Sequence, residues 1–258
     1  MRVLEYGVLV CVLAVLPACH AQEQSLTLAD NGRSEFRIVI AKDASPSVKW
    51  AADELQRWLK EMTGATLPVA TDDSAMTAHE IILGANAHLA KLGVRPPLTE
   101  LGLEGYIIRT SGPHLLLIGG PVRGAVYSVF GLLEDHLGCR WFTPEVTRIP
   151  KVNRLTVGPL DERKIPALEY REPFVMDCFD GDWCARNRVN SSAGRLEEKH
   201  GGKIQYYGFV HTFNQLVPPE KYYDEHPEYF SLINGKRMKG YYQLCLTNPD
   251  VLRIATEE

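Results

Sequence analysis

Apolar strand-like segments alternate with two helical segments between residues 36 and 157, and this alternation limits the fold more than any other feature of the chain. The first predicted helix begins after Ser45, which can cap it, and ends before Gly64, where a left-handed conformation is inexpensive. The second predicted helix opens at Pro121 and ends before Gly138. Strands alternating with helices in this way predict an α/β domain.

The limits of this domain follow from the same pattern. Its predicted strands are residues 36–41, 80–84, 105–109, 114–118 and 155–157. The connection at residues 110–113 suits a hairpin between two of them. We therefore expect one small α/β domain over residues 25–158, followed by a charged linker at residues 159–166.

The sequence pattern changes after this linker. Apolar runs become shorter, and aromatic, Arg, Asn and His residues are interleaved with them. Strands are predicted at residues 167–171, 205–211 and 241–246, and a helix capped by Asn248 should follow. Long connections between strands favour the first strands of an incomplete (β/α)8 barrel over residues 167–258. The chain is accordingly expected to be the N-terminal part of a longer, truncated protein.

The first 21 residues have the organisation of a secretory signal peptide, with Arg2 before an apolar run and small residues after it. Cleavage after Ala21 would release a soluble protein, whereas the sequence around Cys19 also resembles a lipobox, in which Cys19 would be lipidated. We therefore predict export to the periplasm or the extracellular space, with an outer-membrane lipoprotein as the alternative. Contact with a membrane is expected only through a lipid at Cys19.

Composition excludes several classes of partner. The net charge of −4 and the isoelectric point of about 6.1 do not fit a nucleic-acid-binding protein. No motif for a cofactor or a metal ion is found, and Cys178 and Cys184 lack zinc-type spacing. Together with Cys139 and Cys245 they could form disulfides in an oxidising compartment or remain ordinary buried thiols. The glycine-rich turn at residues 117–124 could hold a phosphate or simply pack a helix tightly against a strand.

Acidic and aromatic side chains follow the first predicted barrel strand. Asp177, Asp180 and Asp182 precede Trp183, and paired carboxylates beside an aromatic ring suit glycoside chemistry. A solvated acidic loop explains the same residues. The arginines at positions 186 and 188 could clamp a carboxylate or sugar hydroxyls through their planar forks, or could pair with these aspartates.

Several short sequence segments resemble segments of known protein families. Residues 123–127, 132–134 and 138–144 resemble the N-terminal domain shared by family 67 α-glucuronidases and family 20 β-hexosaminidases. Residues 211–213, 226–230, 235–237 and 243–249 resemble domain-of-unknown-function family 4838, whose members are large exported bacterial proteins with that same N-terminal domain. In those glycosidases the domain precedes a catalytic (β/α)8 barrel.

The resemblance also implies a binding site. Arg171, at the end of the first predicted barrel strand, would contact sugar hydroxyls, and His211, at the end of the second, would line the same pocket, although a structural histidine is the alternative there. The acid pair of the family 20 enzymes lies near the fourth barrel strand, so catalytic carboxylates are not expected in this chain. The candidate substrate-binding residues are Arg171, Trp183, Arg186, Asn190, His211 and Gln243.

Three functions are consistent with these observations. The first is the N-terminal part of an exported glycoside hydrolase acting on polysaccharide or oligosaccharide, including uronate-containing chains, and inactive by itself. The second is an exported protein that binds glycans without cleaving them. The third is a scaffold for another exported protein. The expected partner is a carbohydrate in the first two cases.

Overall fold

The computed structural model describes residues 25–208, 210–240 and 242–257. The predicted signal peptide, with Cys19, lies outside the described residues. The strands are β1 (Leu26–Asp30), β2 (Arg37–Ile40), β3 (Val69–Thr71), β4 (Glu80–Leu83), β5 (Tyr106–Ser111), β6 (His114–Gly119), β7 (Arg140–Trp141), β8 (Thr147–Arg148), β9 (Arg154–Val157), β10 (Asp161–Lys164), β11 (Leu232–Ile233) and β12 (Lys236–Arg237).

The α-helices are α1 (Pro46–Thr63), α2 (Ala87–Lys91), α3 (Leu98–Leu101), α4 (Gly124–Gly131), α5 (Gly181–Arg186), α6 (Phe213–Leu216), α7 (Pro219–Tyr222) and α8 (Pro249–Glu257). A π-helical turn, Leu132–His136, continues α4. Short 3-10 helices lie at Met176–Phe179, Glu198–His200 and Pro227–Tyr229. Among the residues described, no helix is both long and apolar enough to cross a membrane.

A six-stranded mixed sheet organises the N-terminal domain, in the order β10-β5-β6-β4-β2-β3. The strands β3, β2, β4 and β6 run parallel to one another, whereas β5 and β6 form the predicted antiparallel hairpin. Adjacent residues of the central strands face opposite sides of the sheet. Ile81 packs in the core beneath α1 and α4, and Ile82 packs in the core beneath α2 and α3. The predicted α/β class is therefore confirmed.

Helix α1 has the predicted caps. The Ser45 hydroxyl accepts a hydrogen bond from the Val48 amide, and Gly64 adopts the left-handed conformation at the C-terminal end with φ of 78°. The apolar face of the helix, with Leu55 and Leu59 fully buried, packs on the sheet. Later parts of the chain, including α5, pack against this helix.

The predicted linker is wrong in part, because Asp161–Lys164 forms strand β10. It pairs antiparallel with β5 and lies at the edge of the sheet. Charged residues are common on edge strands, because one edge of such a strand faces solvent and the charges discourage pairing with other chains. A charge-rich segment therefore continues the sheet instead of separating two domains.

The predicted strands at 167–171, 205–211 and 241–246 are not formed by the residues described in these segments. The Leu168 and Glu169 carbonyl groups accept hydrogen bonds from side chains instead of from a neighbouring strand. Gly208 and His211 have positive φ angles, which interrupt an extended segment. Leu244 makes one isolated bridge with Phe230.

A small apolar cluster supports the C-terminal residues. Val217, Phe230, Leu244 and Ile254 are buried in it, with Phe213 packed against its edge. The predicted cap of α8 is confirmed, since the Asn248 side chain accepts a hydrogen bond from the Asp250 amide at 2.9 Å. The four cysteines in the described part of the chain are free thiols, and Cys139, Cys178 and Cys184 are buried.

Candidate functional site

A cavity of about 440 Å³ lies beside α6 in the C-terminal part of the chain. We call it the His211 cavity. It is lined by His211, Phe213, Asn214, Tyr242 and Gln243. The structure thus brings together two of the predicted site residues, His211 and Gln243, although the strands that were expected to carry them are absent from the described residues.

The backbone around the His211 cavity is held by local hydrogen bonds and by the apolar cluster below it. His211 has φ of 56°, so the chain turns sharply before α6 begins. The Gln243 carbonyl oxygen accepts hydrogen bonds from the Ser231 amide, at 2.9 Å, and from the Ser231 hydroxyl, at 2.6 Å. Because Leu244 and Phe213 pack into the cluster, the residues beside them are fixed at the rim of the cavity.

The His211 cavity offers neutral polar groups and aromatic faces. The Oδ1 atom of Asn214 is enclosed and has no hydrogen-bond partner among the described residues. A buried acceptor without a donor is unfavourable, so a small rotation that brings this amide to a ligand hydroxyl would be stabilising. Among the described residues that line the cavity there is no Asp or Glu.

Arg171 and Asn190, in contrast, are occupied by hydrogen bonds within the protein. The Arg171 Nη2 atom donates to Glu104 Oε2 at 2.5 Å, and its Nε and Nη1 atoms donate to the carbonyl groups of Arg188 and Leu168. The Asn190 side chain is fully buried and donates to Glu104 Oε1 at 2.8 Å. Both residues hold the segment after β10 against the N-terminal domain.

Glu104 is the centre of this buried network. Its Oε1 atom also accepts a hydrogen bond from Arg123 Nε at 2.5 Å. Burial opposes ionisation of this carboxyl group, yet the hydrogen bonds from Asn190, Arg171 and Arg123 hold its pKa below the ordinary value. Glu104 was not predicted from the sequence, because its neighbours in the chain give no sign that Arg123 and Arg171 contact it.

Trp183 and Arg186, also predicted site residues, belong to α5 and pack against α1 and β7. The Trp183 indole donates to the Trp141 carbonyl at 3.1 Å. The Arg186 Nε atom donates to Glu54 Oε2 at 2.9 Å, and its guanidinium lies over the Trp58 ring. The role of these two residues in binding sugar stays a prediction, since their polar groups already have partners.

The acidic loop of the sequence has structural hydrogen bonds as well. Asp180 caps α5 by accepting from the Trp183 amide at 2.7 Å. Asp182 accepts from His200 Nε2 at 2.8 Å and from Lys199 Nζ at 2.9 Å. The hydrogen bond from His200 is the largest cause that holds the pKa of Asp182 well below its ordinary value. No group of three or more metal-ligating side chains is found in the part of the chain that is described.

Three residues of the His211 cavity were not predicted from the sequence. Phe213, Asn214 and Tyr242 were not selected as ligand contacts, although each lies within three residues of a selected one. The sequence did offer one signal for them, namely aromatic and amide residues close to His211 and Gln243.

The chain matches two family descriptions in succession. Residues 23–132 match the glycosyl hydrolase family 67 N-terminus, and residues 141–258 match the domain of unknown function DUF4838. These matches confirm the family 67 and family 4838 parts of the resemblance read from the sequence, and the similarity of this chain is to glycoside hydrolases.

The chain spans less than a third of the length of each relative described below. A probable α-glucuronidase A from Aspergillus terreus is 26% identical over an alignment of 130 residues, and the match covers 43% of this chain and 16% of that protein. A solved family GH115 4-O-methyl-α-glucuronidase with specificity for decorated arabinogalactans shares 15% identity, with a TM-score of 0.47, over 70% of this chain and 29% of that one. Streptomyces plicatus N-acetyl-β-hexosaminidase shares 15% identity with a TM-score of 0.38, over 58% and 26% of the two chains.

Proposed function

We propose that the chain recognises carbohydrate through the His211 cavity, as part of an exported glycoside hydrolase-like protein that acts on polysaccharide or oligosaccharide. The observation that carries this proposal is the convergence of His211 and Gln243 with two aromatic rings around one cavity. The similarity to the glycosyl hydrolase family 67 N-terminus supports the choice of ligand class. The relative from Aspergillus terreus is named an α-glucuronidase, so a uronate-bearing oligosaccharide is the first ligand to test.

The chemistry of the cavity lining fits sugar binding. Phe213 and Tyr242 provide flat apolar faces for the C–H groups of a pyranose ring. His211, Asn214 and Gln243 provide donors and acceptors for its hydroxyl groups. Ligand sites commonly combine apolar walls with a few polar groups in this way.

The same lining does not supply hydrolysis. Glycosidases of the common type use two carboxylic acids that flank the scissile bond. The lining residues that the structure describes include no Asp or Glu, so they support binding and not bond cleavage. The proposal therefore assigns recognition to this chain and leaves the acid and base to residues outside this cavity.

Replacement of Tyr242 by Ala tests the proposed sugar contact. Loss of one aromatic face should weaken binding of a glucuronate-bearing oligosaccharide about fivefold, because a stacked ring contributes on the order of 1 kcal/mol. The dissociation constant is measured by isothermal titration calorimetry. Tyr207→Ala is the matched control, since Tyr207 is fully exposed and does not line the cavity. Equal loss in both variants, or no loss in either, would argue against the His211 cavity.

Export is the second part of the proposal. If the leader is processed as in secreted proteins, the mature chain begins at Gln22, and its intact mass lacks the first 21 residues. If the lipobox is used, the chain begins at Cys19 and carries additional lipid mass. Mass spectrometry of protein recovered from the periplasmic, membrane and culture fractions separates these results. Intact full-length chain confined to the cytoplasm would contradict export.

A further inference from the structure

A second cavity, of about 370 Å³, lies where β10 leads into the segment that follows it. We call it the Arg188 cavity. Apolar residues form much of its wall, among them Ile165, Pro166 and Leu168, and the buried Tyr106 and Tyr127 side chains form its floor. It shares no lining residue with the His211 cavity.

The charged residues that line this cavity are all cationic: Lys164, Arg171 and Arg188. Their carboxylate partners contact them without lining the cavity. Lys164 Nζ lies 2.9 Å from an oxygen of Asp135 and 2.9 Å from an oxygen of Glu162. Among the described residues, the charged side chains of the lining are therefore cations whose carboxylate partners lie outside it.

Arg188 retains unused hydrogen-bonding capacity. Its Nη2 atom donates to Glu134 and lies 3.7 Å from Asp135 Oδ1. Its Nη1 atom is enclosed and has no hydrogen-bond partner among the described residues. An enclosed guanidinium N–H group without an acceptor is unfavourable, so an acceptor supplied by a ligand would be stabilising. Arg171 does not offer the same capacity, since each of its side-chain nitrogens already donates a hydrogen bond.

We propose that the Arg188 cavity binds an organic monocarboxylate whose body is an apolar ring. A carboxylate oxygen is a strong acceptor for the unpartnered Nη1 atom of Arg188, whose Nη2 atom already donates to Glu134. The ring is held by the apolar residues of the wall, above the floor formed by the two tyrosines. The volume lies at the lower end of the range for small-molecule sites, about 300–1,000 Å³.

This ligand class differs from a multiply charged anion and from a neutral sugar. A phosphate would have to lose its hydration against apolar walls, which is costly without several donors. The proposal is independent of carbohydrate binding at the His211 cavity, because the residues that carry it belong to β5, α4, β10 and the segments around residues 165–171 and 188.

Titration of the whole 258-residue chain with benzoate tests the proposal. Benzyl alcohol is the neutral counterpart, and acetate is the counterpart without a ring. We expect benzoate to bind about tenfold or more tightly than either of them, because each lacks one of the two recognised features. Equal binding of benzyl alcohol and benzoate would overturn the proposal, as would the absence of benzoate binding at millimolar concentration.

Variants locate the site. Arg188→Gln should weaken benzoate binding about tenfold. Arg109→Gln, which removes an exposed cation paired with Asp161 outside the cavity, should leave the affinity unchanged. Unchanged affinity in Arg188→Gln, or equal losses in both variants, would overturn the proposal.

Two further variants keep the test decisive if Arg188→Gln fails to fold. Leu168 is 66% exposed, so Leu168→Ser should preserve the fold while removing part of the apolar wall, and benzoate should bind several-fold more weakly. Unchanged benzoate affinity in Leu168→Ser would overturn the proposal. Tyr242→Ala should not affect benzoate, and a loss there would place benzoate in the His211 cavity and contradict the assignment.

Discussion

Replacement of Glu104 by Ala is expected to destabilise the protein by about 3–5 kcal/mol, the usual effect of removing one partner from a buried charge network. Glu104 accepts hydrogen bonds from Arg123, Arg171 and Asn190, and it is only 7% exposed. The Ala variant leaves two largely buried guanidinium groups without their common carboxylate. Urea unfolding followed by circular dichroism measures the change in free energy.

Glu100→Ala is the matched control for this prediction. Glu100 forms an exposed ion pair with Arg163 at 2.9 Å, and such pairs contribute less than about 1 kcal/mol. Equal destabilisation by the two substitutions would contradict the central role of Glu104.

The stability that Glu104 contributes depends on pH with a defined sign. Because the pKa of Glu104 is lower in the folded state, its stabilisation is present above about pH 4.5 and is lost as the pH falls through the folded-state pKa.

Replacement of Gly119 by Ala is expected to prevent stable folding, with a loss greater than about 4 kcal/mol. A Cβ atom at this position would lie 1.9 Å from the Gly124 carbonyl carbon and 2.0 Å from the Ala125 nitrogen. Both are backbone atoms of α4, so a side-chain rotation cannot relieve the overlap. The strand β6 and the start of α4 would have to separate, which opens the core beneath them.

Gly158→Ala is the control for the glycine prediction. A Cβ atom there would meet no heavy atom within 4 Å, so the free energy of unfolding should change by less than about 1 kcal/mol. Soluble yield and thermal unfolding distinguish the two variants. A Gly119→Ala protein with the thermal stability of the wild type would contradict the close packing. Such packing is the tight-turn interpretation of the glycine-rich segment, and it explains the glycines without a bound phosphate.

The N-terminal sheet could be predicted from the sequence because its central strands are buried on both faces. Residues such as Ile81 and Ile82 form continuous apolar runs that stand out from the flanking polar segments. Strand β10 was missed for the opposite reason. It consists of charged residues, and its place at the edge of the sheet depends on pairing with β5, which is 52 positions away at the pair of Arg109 and Asp161.

The candidate site was predictable in part. Residue type indicated that Arg171 and Arg186 could form directed hydrogen bonds, but their partners are distant in sequence. Arg171 reaches Glu104 across 67 positions, and Arg186 reaches Glu54 across 132 positions. No local pattern records such pairs, so a ligand contact and an internal ion pair look alike in the sequence. His211 and Gln243 are the predicted residues that the structure places around a common cavity.

The most direct test of carbohydrate binding is nuclear magnetic resonance of the ¹⁵N-labelled chain titrated with a glucuronate-bearing oligosaccharide. The side-chain amides of Asn214 and Gln243 report on the His211 cavity, and the side-chain amide of Asn190 reports on the buried Glu104 network. We expect saturable shifts at Asn214, Gln243 and their backbone neighbours, with the Asn190 side chain unaffected. Shifts centred on Asn190, or no shifts at millimolar oligosaccharide, would contradict it.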